Sequence, residues 1–190
     1  MKTLAEKVLE MGGELAPPAS LSEISQLESR LGISLPSALS DLLFQHNGSL
    51  NETDEAIWRF WPCSEITSYQ EFADCDHFCP DNNYLRELDP TARAVTIPAS
   101  KLILFADALI DAPTYGVFHD LGHQFDGVVF DISFGSVSAR CFGDWISAFI
   151  GHGEDGLLML DKPKPEQAES LKPCPRRVGR TFLIHIFIPR

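Results

Sequence analysis

Residues 24 to 48 read ISQLESRLGISLPSALSDLLFQHNG, and two helices joined by a tight turn are legible in them. Just upstream, Ser20 and Glu23 have the spacing of a capping box, in which a serine hydroxyl and a glutamate three residues on satisfy each other's backbone N–H groups. Leu21, Ile24, Leu27 and Leu31 then recur at intervals of three and four, which places one apolar face on a helix that Gly32 ends. After Leu35 and Pro36, Ser37 opens a second helix whose Leu39, Leu42 and Leu43 share a face. Asn47 and Gly48 tolerate the left-handed conformation that closes such a helix.

Upstream of this pair, Leu4, Val8, Leu9 and Met11 form a short helical stripe ended by Gly12 and Gly13, with a linker from Pro17 to Ser20. Downstream, the aromatic run Ala56 to Trp61 predicts a short strand stopped by Pro62. Ile66, Tyr69 and Phe72 predict a helix to about Cys75, interrupted by Pro80 to Asn83. Leu102 to Ala106 and Tyr115 to Phe118 have the length and apolar continuity of central strands. Residues 127–132 and 136–141 flank the turn residues Ser133 to Gly135 and predict a hairpin. Phe142, Trp145, Ile146, Phe149 and Ile150 return to helical spacing before Gly151.

The order implies an α+β fold: a mostly antiparallel sheet, an N-terminal helix pair and a C-terminal helix packed on the sheet. Its expected core includes Leu27, Leu31, Leu39, Leu43, Phe105, Val129, Trp145 and Phe149.

The chain has 190 residues, 44% hydrophobic and 22% charged, which suits one domain with an appendage. Fifteen basic against 27 acidic side chains give a net charge of −12, the wrong sign for a phosphate backbone or an anionic membrane, and leave basic proteins as natural partners. The charge is unevenly spread. Residues 161–190 hold seven basic and three acidic groups, so this end is +4 and the rest −16. Five prolines in the same stretch resist regular structure, although Phe182 to Ile188 has strand propensity. The organisation expected is therefore an N-terminal helix and linker (1–20), a folded domain (21–151) and a Pro-rich basic extension (152–190), of which the fold is expected not to need residues 161–190.

Charges at Lys2, Glu6, Lys7, Glu10 and Glu14 leave no apolar core for a signal peptide, and no uncharged run approaches the ~18 residues of a spanning helix. The five cysteines are odd in number and irregularly spaced, as in reduced thiols. A cytoplasmic location is the expectation.

The stretch from Ile24 to Gly48 resembles the opening signature of the SUKH superfamily, where a helix ends in glycine, Leu-Pro starts the next and Asn-Gly closes it. Trp58-Arg59-Phe60-Trp61 with Glu65-Ile66, Leu104-Phe105-Ala106-Asp107, Gly127-Val128-Val129 and Phe142-Gly143-Asp144-Trp145-Ile146 extend the likeness over about Leu21 to Gly151. The resemblance implies an α+β fold and a binding role without catalytic motif or cofactor. In bacteria that role is immunity: such proteins bind and neutralise a cognate polymorphic toxin, often a nuclease or deaminase. Fungal relatives act as regulators of cell-wall synthesis, which gives a regulatory scaffold as the alternative.

Immunity requires a surface that holds another protein. Glu52, Asp54 and Glu55 form an acidic segment directly before the aromatic run, and Trp58 and Trp61 are candidate anchors for a partner. A regular strand would put the two tryptophans on opposite sides, so at least one is expected in the core. The alternatives to a binding role are incomplete. Cys75, His77 and Cys79 lack a fourth ligand for zinc, His119 and His123 lack the glutamate of a metalloprotease helix, and Cys141 at a helix start has no assignable base. No metal and no catalytic residue is expected.

Overall fold

Helix formation begins where the chain caps itself. The computed structural model describes residues 2–50, 58–81, 86, 95–108 and 113–152. In it Thr3 and Glu6 form a capping box for α1 (Leu4–Glu10), and Ser20 and Glu23 form one for α2 (Leu21–Leu31). In the second box the Glu23 N–H donates to the Ser20 hydroxyl at 3.2 Å and the Ser20 N–H donates to the Glu23 carboxylate at 2.8 Å. Gly32 ends α2 in the left-handed conformation. α3 (Ser37–Gln45) starts at Ser37, but Pro36 occupies the cap position and no side chain caps it. Ile24, Leu27, Leu39 and Leu43 are buried, whereas Leu31 is half-buried at the margin of the core.

Residues between the first two helices are part of the fold rather than a free linker. Backbone N–H groups of Ala16 and Leu50 donate to Gly48 and Glu14, that of Asn47 to Pro17, and that of Ala19 to Leu43.

The middle of the chain differs from the helix expected through Ile66. After β1 (Trp58–Phe60) comes β2 (Thr67–Ser68), and α4 is confined to Tyr69–Ala73. The Ser68 hydroxyl accepts from the Glu71 N–H, which fixes the start, and Asp74 at φ +50° fixes the end. β3 (His77–Phe78) then pairs with β4 (Ile97–Pro98).

The main sheet is completed by β5 (Leu102–Ala108), β6 (Thr114–Phe118), β7 (Val129–Asp131) and β8 (Ser136–Ala139), in the order β1-β5-β6-β7-β8, with β2 also on β5. All these pairings are antiparallel. β5 and β6 are central, and β7 with β8 is the expected hairpin. A bulge at Phe105 interrupts the β5–β6 register and lets its ring join the cluster beneath α5 (Phe142–His152). On that face Trp58, Phe60, Phe105 and Tyr115 surround Trp145, with Phe149 stacked against it. On the other face Phe130 meets Phe78, which meets Tyr69, so α4 and β3–β4 cover part of the sheet. β5 is therefore covered on both sides, which explains its uninterrupted apolar run.

Asp131 ends β7 with 7% of its surface exposed. Its carboxylate accepts from the Ser133 and Phe134 N–H groups and organises the hairpin turn. Burial pushes its pKa up to about 6, against the downward pull of those two hydrogen bonds. Between about pH 4 and 6 the folded chain holds a proton that the unfolded chain has lost, so stability falls as pH rises through that window. Asp131→Asn keeps an oxygen for the turn and never ionises. It should be more stable than the wild type at pH 7, on the order of 1–3 kcal/mol, and lose the slope over this window. Urea titrations at pH 4 and 7 check this.

Candidate functional site

Strand alternation puts Arg59 on the sheet face opposite to Trp58 and Phe60, and the register aligns Arg59 with Asp107 and Asp107 with Thr114 across β1, β5 and β6. This row is the floor of an open cleft of about 350 Å³, also lined by Trp61, Glu65, Thr67 and Phe72. α4 contributes Phe72 to its wall.

The floor is a hydrogen-bonded network. Arg59 donates to Asp107 through Nε (3.3 Å) and Nη2 (2.8 Å), a two-pronged contact, and through Nη1 to Glu65 (3.0 Å). The Asp107 hydrogen bond, the stronger influence, holds the guanidinium pKa above its ordinary value although burial opposes it. The Trp61 indole N–H also donates to Asp107, at 2.8 Å, and the guanidinium carbon lies 5.8 Å from the Trp61 ring centroid. Phe72 is 6.3 Å from Trp61 and 53% exposed. At the rim the Thr67 hydroxyl donates to Glu71. The cleft thus joins the exposed Phe72 ring and the buried Trp61 indole to Glu65 and Asp107, with Arg59 as the cation among its lining residues.

Both tryptophans are buried. Trp58 stacks on Tyr115 and meets Trp145 and Phe149 edge-on, so it belongs to the core, with 5% of its surface exposed. Trp61 lies beyond the strand end, 6% exposed, and joins the site through its indole N–H. Glu52, Asp54 and Glu55 lie outside the described residues; in sequence they directly precede β1. Nothing in the sequence by itself marks Arg59, Asp107 and Phe72 as site residues. The alternation around Arg59 and the Leu104-Phe105-Ala106-Asp107 stretch of β5 are the available signals, but the pairing of Arg59 with Asp107 across 48 positions becomes visible only in the register.

The soft-ligand groups have local structural roles. The Cys75 thiol donates to the His77 carbonyl at 3.5 Å, and burial pushes its pKa up. Cys79 approaches the Thr96 hydroxyl at 4.0 Å. His119 Nδ1 contacts Asp126 at 2.9 Å, Asp126 also accepts from the Asp120 N–H, and His123 Nδ1 accepts from the Phe125 N–H. Cys141 caps α5, its sulfur accepting from the Asp144 N–H at 3.4 Å. Among the described residues no three such side chains are grouped as metal ligands would be.

The fold and this cleft define an α+β domain with a mixed aromatic and carboxylate surface site. The sequence model of the SMI1 / KNR4 family (SUKH-1) matches residues 18–148, most of the chain, and the protein belongs to that family. The superfamily includes immunity proteins. No curated protein matches the chain significantly. Among the described residues no helix is long and apolar enough to cross a membrane.

Proposed function

We propose that the protein is an immunity protein that binds and neutralises a cognate toxin domain, of nuclease or deaminase type, in the cytoplasm. The observation that carries this reading is the family membership over residues 18–148. Two features support it. Residues 1–160 carry a charge of −16, opposite to the basic cleft with which such a toxin holds nucleic acid. The Arg59–Asp107–Trp61 cleft supplies rigid aromatic and charged groups of the kind that dominate protein interfaces. The acidic segment Glu52, Asp54 and Glu55 precedes the cleft's first strand and belongs to the proposed surface, together with Trp61. No step of this function requires a catalytic residue or cofactor.

Coexpression with the product of an adjacent toxin-like gene should restore growth and give a copurifying complex. The association rate should fall as salt rises while dissociation changes less, because screening acts mainly on diffusional encounter. Growth rescue, pull-down and stopped-flow binding at two ionic strengths check these outcomes. A chain that neither rescues growth nor captures a neighbouring product belongs with regulatory scaffolds.

A further inference from the structure

Arg59 shows how this cleft accommodates a guanidinium: Asp107 receives its two-pronged hydrogen bonds while the Trp61 ring lies beside it. Part of the same chemistry remains available next to it. Arg59 engages one oxygen of Glu65, a side chain that stays half-exposed, and Phe72, 6.3 Å from the Trp61 ring, presents an exposed ring to the same cleft. Glu71, held by Thr67, adds a third carboxylate at the rim. Glu65, Asp107 and Glu71 against Arg59 leave the cleft and its rim negative, in keeping with the −16 of residues 1–160.

We infer that the cleft receives an arginine side chain of the protein partner, its guanidinium lying against Phe72 and hydrogen-bonded to Glu65. Arginine suits the site better than lysine, since its planar fork matches a carboxylate and stacks on an aromatic ring in the same pose. An acidic partner side chain would meet Glu65 and Asp107, with Arg59 already neutralised by both. The volume of about 350 Å³ accommodates one long side chain. The inference rests on the reading that this cleft is the partner-binding surface.

The test uses the full chain and a defined probe. Nα-acetyl-arginine methylamide is titrated while the Trp61 indole N–H resonance is followed, with the neutral citrulline analogue as the matched control. The arginine probe should shift that resonance saturably, and citrulline should bind about tenfold more weakly. Phe72→Ala and Glu65→Gln, both at exposed positions, should each weaken the arginine response several-fold with no loss of fold by circular dichroism. An unmoved Trp61 resonance, an equal response to citrulline, or a response indifferent to both variants overturns the inference, even where a toxin copurifies and immunity operates through another face. A specific arginine response in a protein that captures no toxin upholds the cleft assignment and removes the immunity reading.

Discussion

Trp145→Ala is expected to lower the unfolding free energy by about 3–5 kcal/mol, a large share of the 5–15 kcal/mol typical of a domain. Trp145 is fully buried and touches six aromatic rings: Trp58, Phe60, Phe105, Tyr115, Phe142 and Phe149. Four of these come from β1, β5 and β6 and two from α5, so the indole is the main connection between the helix and the sheet. Rings held on separate strands cannot all collapse into the vacated space, and the cavity cost adds to the lost burial. The melting temperature should fall by about 6–20 °C. Ile146→Ala, one residue along α5 and only partly buried, should cost clearly less. Denaturant midpoints for the two variants are the measurement. Equal midpoints would mean that α5 is not docked through Trp145.

Trp145 was legible from its helical spacing with Phe142 and Phe149, as was α2 from its capping box, because both signals lie within a few residues of one another. The hairpin β7–β8 was legible for the same reason. The helix expected from Ile66 starts only at Tyr69 because β2 owes its extended form to β5, where Thr67 pairs with Leu104 and Ser68 with Ile103. The cleft was hidden more thoroughly. Arg59 and Asp107 are ordinary charges in sequence and become a site once two strands set them side by side. Trp61 closes an aromatic run for which alternation required only that at least one tryptophan be core; Pro62 ends the strand and Asp107 supplies a partner that allows both indoles to be buried.

Asn47 and Gly48 illustrate the same limit. As a local signal they close a helix. In the fold the Asn47 carboxamide accepts from the Cys63 N–H and donates to Glu23, tying the end of α3 to the loop after β1 and to the start of α2. Gly48 sits at φ +84°, and a Cβ there would lie 2.5 Å from Pro62 N and 2.9 Å from Phe60 O, backbone atoms that cannot rotate away. Gly32 is the natural control, at φ +68° with nothing within 4 Å of an added Cβ. Gly32→Ala should therefore cost only the left-handed strain of an L-residue, about 1–2 kcal/mol. Gly48→Ala carries that strain and the displacement of Phe60 to Pro62, together about 2–5 kcal/mol. The displacement reaches the cleft. The Ser49 N–H donates to Phe60 O at 2.9 Å, and the Phe60 N–H returns a bond to the Ser49 hydroxyl at 3.0 Å. A shift of this contact carries Trp61 with it and strains the indole's hydrogen bond to Asp107. Gly48→Ala should accordingly move the Trp61 indole resonance and, under the proposed function, weaken capture of the toxin, whereas Gly32→Ala should do neither at temperatures where both variants are folded. If the two substitutions cost the same and leave Trp61 in place, the close approach of residue 48 to Pro62 does not constrain the cleft.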